Sequence, residues 1–315
     1  MSAKSKITKA VIAAAGFGSR LLPATKATPK ELVSLINTPI INYITNQCID
    51  CGITDIIIIT KPGNNAIKNY FSQNLELEEY LTQKGKTKEL EIVRKIYKSA
   101  NIRFIDQDET LPYGNARPLY TAKDLIEDGE SFVYTSGDDL VFGQDAGISE
   151  IVSVYDRTGA DMVLMCTPVS DKMIPKVGIV KFSGKQDDIY TVEHIVEKPK
   201  LEEAPSNVGA VMCYVFNSKI FDLLDPTYSG TVGEFFIQAA MDQIMKTGDV
   251  RACVTKGKWL TNGDPLNYLI SSVEVALSRD DVSEDFLDYL KTRIGSKTVK
   301  LEVRTVLETV EVEEK

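Results

Sequence analysis

Lys9-Ala-Val-Ile-Ala-Ala-Ala-Gly-Phe-Gly-Ser-Arg-Leu-Leu-Pro-Ala-Thr-Lys-Ala-Thr-Pro-Lys-Glu-Leu32 is the stretch from which the fold of this chain is read. An apolar strand over Ala10–Ala15 runs straight into Gly16 and Gly18. Ser19, Arg20, Lys26 and Lys30 follow with little apolar surface between them. Glycine lets backbone N–H groups approach a phosphate closely, and cations after it add charge and fork-shaped donors. The order suits a polyanion. The spacing lacks the third glycine of a dinucleotide fingerprint and the Gly-Lys-Ser/Thr ending of a P-loop. The glycines alone read equally well as a tight connection from strand to helix; the cations after them favour phosphate.

Working outward, Leu32 to Leu35 reads as a short extended piece, and Asn37-Thr38-Pro39 opens a helix with Ile41, Ile44, Cys48 and Cys51 on one face, ending at Gly52. Asp55-Ile-Ile-Ile-Ile-Thr60 is a continuous apolar strand of the kind found in parallel sheets covered on both faces. Strand, loop, helix and strand make a βαβ unit with a right-handed crossover. Asn64 to Ser72 predicts a second helix, and Leu75 to Lys98 a charged helical stretch interrupted near Gly85. Ile102–Ile105 predicts a strand that delivers Gln107 to its end, and Phe132–Thr135 another that empties into Ser136-Gly137-Asp138-Asp139. Carboxyl ends of strands line the ligand crevice of open α/β sheets, so Gly16, Gln107 and Asp138 are expected around one pocket. Ile148–Tyr155 predicts a helix and Asp161–Thr167 a strand. Beyond residue 168 the strands Gly178–Phe182, Tyr190–Val196 and Val208–Phe216 have less helix between them, which predicts a mixed or antiparallel extension. Helices from about Ser218, Thr231 and Asp264 follow, with a strand over Val250–Thr255. Lys297 to Val312 alternates apolar and polar residues, as a terminal strand or an oligomer arm would.

The 315 residues are 43% hydrophobic, enough for a substantial core. With 36 Lys and Arg against 45 Asp and Glu, the net charge of −9 and the lack of a long basic run argue against a nucleic-acid partner. Cys48, Cys51, Cys166, Cys213 and Cys253 lack zinc spacing and read as buried reduced thiols. The polar start and the glycine-broken run from Ala10 predict neither a signal peptide nor a membrane span, so a cytoplasmic enzyme is the simplest class.

Ala15 through Glu31 resembles the signature of the sugar-1-phosphate nucleotidyltransferases, and most closely that of their prokaryotic uridylyltransferase branch. The resemblance spans roughly residues 7 to 280. It implies a Rossmann-like α/β fold: a mostly parallel central sheet flanked by helices, with a smaller mixed or antiparallel sugar-binding extension. One domain over 1–315 would hold a nucleotide-binding half (7–167), a sugar-binding half (168–280) and a C-terminal segment (281–315). The implied reaction is attack of a sugar 1-phosphate oxygen on the α-phosphorus of a nucleoside triphosphate, releasing pyrophosphate. UTP and glucose 1-phosphate are the implied substrates, Mg2+ the implied cofactor, and a homo-oligomer the implied assembly. Bringing two anions together requires charge neutralisation and alignment rather than a covalent nucleophile.

The same resemblance assigns residues. Arg20 and Lys30 would hold the triphosphate over the backbone of Ala15, Gly16, Gly18 and Ser19. Glu31, Gln107 and Gly114 would meet the uracil, with Asn115 standing where the family has His. Asp138 would bind the metal, with Asp139 as the alternative ligand. In Val196-Glu197-Lys198-Pro199, Glu197 would meet sugar hydroxyls and Lys198 the sugar phosphate. Gly178 would let the hexose lie against backbone, with Asn207 nearby and Glu234 on further hydroxyls. Arg20, Lys30, Asp138 and Lys198 would carry catalysis. The chain departs from the family at its second metal carboxylate: Trp259-Leu-Thr-Asn-Gly-Asp-Pro265 places Thr261 or Asn262 there. Asp264 either substitutes as a metal ligand or caps a helix beginning at Pro265. A relative using dTTP or another sugar 1-phosphate, and a catalytically weak sugar-nucleotide sensor, stay open. The sole histidine, His194, falls in an expected strand and reads as structural.

Overall fold

Ile56, Ile57, Ile58 and Ile59 are all fully buried, as a strand covered on both faces requires. The computed structural model describes residues 6–227 and 234–294. In chain order the first half comprises β1 (Lys9–Ala14), the small hairpin β2 (Ser34–Leu35) and β3 (Thr38–Pro39), α1 (Ile40–Asp50) and β4 (Asp55–Thr60). It continues with α2 (Ala66–Tyr70), α3 (Leu75–Gln83), α4 (Thr87–Lys98), β5 (Asn101–Asp106), α5 (Ala116–Thr121) and β6 (Ser131–Ser136). Then come β7 (Asp139–Phe142), α6 (Ile148–Thr158), β8 (Met162–Pro168), β9 (Gly178–Gln186), β10 (Ile189–Glu197) and β11 (Val208–Asn217). The chain closes with α7 (Ile220–Leu223), α8 (Gln238–Thr247), β12 (Val250–Val254), β13 (Lys258–Thr261), α9 (Pro265–Leu277) and α10 (Ser283–Ile294).

Nine strands form one sheet in the order β5-β4-β1-β6-β11-β8-β12-β10-β9. The ladders β5–β4, β4–β1 and β1–β6 are parallel, as is β12–β8. β11 enters antiparallel between β6 and β8, and β10 antiparallel between β12 and β9. The expected antiparallel extension is therefore continuous with the parallel sheet. Alternation along β1 sends Ala10, Ile12 and Ala14 to one core, which includes Ile41 and Ile44 of α1 and Ile148 and Ile151 of α6. Val11 goes to the opposite core, with Leu119 of α5 and Ala240 and Met241 of α8. Helices thus cover both faces, and the parallel strands bring Ala14, Thr60 and Ser136 to one edge.

One local difference from the sequence expectation has a physical cause. β7 and β13 make a separate antiparallel pair, with Asp139 opposite Thr261. Such short strands, one beginning on a carboxylate, carry too little periodicity to be read in advance. The interruption expected near Gly85 is present: Leu75–Lys98 divides there into two helices, and the φ of +65° at Gly85 ends the first. The helix expected from Thr231 is described from Gln238, whereas Gly233 and the strand expected over Lys297–Val312 lie outside the described residues.

The α3–α4 hairpin is held by a charged group. Glu78 accepts hydrogen bonds from Arg94 Nε (2.7 Å) and the Tyr97 hydroxyl (2.6 Å). These bonds hold its carboxyl down at about 2, against an ordinary 4.5. A depressed carboxyl pKa contributes stability that is present above the ordinary value and is lost as pH falls toward the folded one. Urea unfolding of the parent and of Glu78→Gln tests this: the parent's advantage is expected to be full at pH 6 and to shrink steadily between pH 5 and pH 2. A pH-independent difference would contradict the assignment.

Candidate active site

The turn after β1 folds back on the chain that follows it. Gly18 has φ +62°, and a Cβ there would sit 3.2 Å from the Thr25 side chain and 3.3 Å from Lys30 Cβ. Thr25 Oγ1 donates to the Gly18 carbonyl (2.8 Å). Lys30 is thereby drawn beneath the turn, and a Cβ on Gly16 would lie 3.1 Å from Lys30 Cε. Glycine is needed at position 18 both for its φ and for this contact.

Lys30 meets Asp138 here. Its Nζ lies 2.7 Å from Asp138 Oδ2 and 3.9 Å from Glu31 Oε1. Asp138 follows β6, which pairs with β1 in parallel; Gly137 N donates to Ala13 O (2.8 Å), so both strand ends turn at the same level. The Ser136 hydroxyl donates to Asp138 Oδ1 (2.5 Å), and Asn262 Nδ2 to the Asp138 carbonyl (3.0 Å). Burial alone would lower the Lys30 pKa, but the charges of Asp138 and Glu31, with the Asp138 hydrogen bond, raise it. Glu31 is fully buried, and neither of its carboxylate oxygens has a hydrogen-bond partner among the described residues. Burial pushes its carboxyl up to about 7 against the pull of Lys30. Burial, and then the Asp138 charge, likewise push Asp139 up to about 7, although Thr261 hydrogen-bonds to it.

Lys30 and Asp138 border a cavity of about 700 Å³, which Gly16, Gly18, Ser19 and Arg20 also line. Ala15, half-buried, joins β1 to that turn. Lys26, Lys61 and Tyr113 also line the cavity. Lys61 was not singled out from sequence, because a lysine after a strand looks like any surface lysine; only the adjacency of β4 and β1 brings it to the cavity. Its Nζ lies 3.6 Å from the centroid of the Phe17 ring. Among the described residues Arg20, Lys26 and Lys61 have neither a hydrogen-bond nor an ion-pair partner, although the charge of Arg20 favours the ionised forms of Asp139 and Asp264.

The other expected residues, Gln107, Gly114, Gly178, Glu197, Lys198, Asn207 and Glu234, do not line this cavity. Gln107 is half-buried, with its N–H on the Thr60 carbonyl (2.8 Å). Gly114 approaches Phe235 so closely that a Cβ would fall 2.0 Å from the Phe235 carbonyl oxygen. Gly178 and Glu197 are partners in the β9–β10 register, and a Cβ on Gly178 would lie 3.1 Å from Glu197 Oε2. Lys198 adopts φ +46°, its N–H on the Val177 carbonyl and its Nζ 3.4 Å from Glu197 Oε1. That left-handed backbone costs a non-glycine residue about 1–3 kcal/mol. Asn207 is exposed, its carbonyl accepting from Val169 N (2.9 Å), and Glu234 is half-buried.

A model of the nucleotidyl transferase family matches residues 9–276. The chain belongs to this family. A UTP–glucose-1-phosphate uridylyltransferase of Bacillus subtilis is 35% identical over 298 residues, covering 95% of this chain and 99% of the relative. The Haemophilus influenzae uridylyltransferase is 33% identical, with 90% and 98% covered. Among solved structures, a UTP-bound UDP-glucose pyrophosphorylase from Acinetobacter baumannii superposes with TM-score 0.81 at 29% identity, over 90% of this chain and 98% of the other. A UDP-glucose pyrophosphorylase in complex with UDP-glucose gives TM-score 0.77 at 25% identity, over 87% and 100%.

Enzymes of this nucleotidyltransferase family use a divalent metal ion. Among the described residues no group of three or more His, Cys, Asp or Glu could form an all-protein metal cage. Asp138 is a hard oxygen donor lining the cavity, and one carboxylate suffices for an ion shared with substrate phosphates. The residues fit that mode. Asp264 is engaged elsewhere: its Oδ1 accepts from Asn267 N (3.1 Å) and its Oδ2 from Asn267 Nδ2 (2.6 Å), capping α9. Burial works against its charge, but these bonds hold its carboxyl below the ordinary range. Its neighbour Gly263 faces the site: a Cβ there would be 3.7 Å from Arg20 Nη1 and 3.9 Å from Asp138 Oδ2. Asp264→Ala is expected to lower stability by about 1 kcal/mol, the usual worth of an N-cap, and to leave the metal concentration for half-maximal turnover unchanged. Thermal unfolding and metal titration check both, and a tenfold change in metal requirement would make Asp264 a ligand.

Proposed function

We propose that this chain makes UDP-glucose and pyrophosphate from UTP and glucose 1-phosphate, with Mg2+ as the metal. The observation that carries the reading is the cavity lined by Asp138 together with Arg20, Lys26 and Lys61, three cations without an ion-pair partner among the described residues. Full-length similarity to uridylyltransferases, one of them UTP-bound, supports it.

Arg20, Lys26 and Lys30 take the triphosphate, with the Gly16–Ser19 turn presenting backbone beneath it. In the free chain Lys30 and Asp138 pair with each other; with substrate bound, Lys30 would hold a phosphate oxygen and Asp138 would be the carboxylate that holds Mg2+. Bound there, the metal supplies charge neutralisation and orientation of phosphate oxygens. Glu31 and Gln107 read the uracil edge, which gives the buried, unpartnered Glu31 carboxyl a polar group to meet. Glu197, Gly178, Asn207 and Glu234 hold the sugar, and Lys198 its phosphate. The nucleophile is an anionic phosphate oxygen already, so no residue need remove a proton. That oxygen bonds to the α-phosphorus as the bond to the β-phosphate oxygen breaks, and pyrophosphate carries the electron pair away. The work of the chain is alignment and charge stabilisation. With all five cysteines free and four of them buried, a reducing compartment suits the protein, and we place it in the cytoplasm.

Pyrophosphate release from UTP or dTTP with a panel of sugar 1-phosphates tests this. UTP with glucose 1-phosphate is expected to give the highest kcat/KM, and binding without turnover would overturn the enzyme reading. Asp138→Asn is expected to reduce metal-dependent kcat by about a hundredfold or more, the scale of a lost electrostatic contact in a transition state. An unchanged rate would remove Asp138 as metal ligand.

A further inference from the structure

Residues 113–116 and 235–237 are far apart in sequence, yet their backbones are joined like adjacent strands. Phe235 N donates to the Tyr113 carbonyl (2.6 Å), and Ala116 N to the Phe235 carbonyl (3.0 Å). Gly114 sits between these bonds, with φ +149° and no room for a side chain. Ile237 N then donates to Asn115 Oδ1 (2.9 Å), a bond that depends on one side chain. Asn115 is itself anchored from below, where the buried Tyr134 hydroxyl donates to its carbonyl (2.7 Å).

Each of the three segments tied here leads to a different part of the site. Tyr134 belongs to β6, the strand that ends before Asp138. Tyr113 lines the cavity and closes the loop begun at Gln107. Phe235 and Ile237, both 2% exposed, follow directly on Glu234. Their burial leaves the Ile237 N–H no solvent to turn to if the Asn115 acceptor is removed.

We propose that Asn115 is a positioning residue: its carboxamide oxygen fixes the segment carrying Glu234 in register with the nucleotide wall, and so sets the affinity for the sugar 1-phosphate. The inference rests on the sugar-side role given to Glu234 above. Asn115 does not line the cavity; its carboxamide oxygen is taken by Ile237 N. Its effect reaches the sugar through Ile237, Phe235 and Glu234 in turn.

Steady-state kinetics of Asn115→Ala and Asn115→Asp, with hydrogen exchange on the parent, form the test. Asn115→Ala is expected to raise KM for glucose 1-phosphate about tenfold, the scale of one buried donor left unpaired, and KM for UTP less than about twofold. Asn115→Asp keeps an acceptor in the same place and is expected to restore KM to within about threefold of the parent. In the parent, UTP alone is expected to slow amide exchange at Phe235 and Ile237, a readout that needs no turnover. Equal rises in both KM values, a lower Tm with unchanged KM, or exchange at residues 235 and 237 indifferent to UTP would each overturn the proposal. A parent that binds UTP and shows this protection without turnover would fail the enzymatic reading instead.

Discussion

Lys30 and Asp138 meet 2.7 Å apart because β1 and β6 are neighbours in parallel register and both chains turn at the same edge. Much of the site follows from that contact. It needs Gly16 and Gly18 to bring the first turn down onto Lys30, and Gly137 to pass over Glu31, where a Cβ would stand 2.9 Å from Glu31 Cγ. It is braced by Ser136 on one carboxylate oxygen of Asp138 and by Asn262 on its carbonyl. A cation and an anion so poorly hydrated stabilise each other, and breaking such a pair without replacement is costly. A triphosphate with its metal offers a replacement for both partners at once.

The protein as a whole carries net charge −9, yet Arg20, Lys26 and Lys61 line the cavity with no ion-pair partner among the described residues. Field lines concentrated in a cleft of one sign raise the local concentration of a charged substrate. Cations without hydrogen-bond partners are those least committed to the free structure. Glu31 is the acidic counterpart, kept from water and with neither carboxylate oxygen hydrogen-bonded among the described residues.

Sequence alone went furthest where one residue type answers one local constraint. The apolar run into Gly16 and Gly18, the all-isoleucine strand before Thr60 and the carboxylate after Gly137 were legible, because strand burial and turn geometry act on neighbours in the chain. Asp264 before Pro265 was legible as a cap for the same reason. Lys61 was not, since its place depends on β4 lying beside β1, nor was the left-handed backbone of Lys198, imposed by the turn after β10. The meaning of Gly114 and Asn115 emerges only when residues 235–237 are laid against them. The β7–β13 pair was missed because four-residue strands carry only two periods of alternation, too few to set them apart from a loop.

The central claim is that the Lys30–Asp138 pair holds the site in its free form and is divided between phosphate and metal when substrate binds. A crystal structure of the chain with UTP and Mg2+ tests it most directly. The expected result is Asp138 on the metal, Lys30 on a phosphate oxygen, and the two groups no longer in contact. Finding them still 2.7 Å apart beside bound UTP would contradict it.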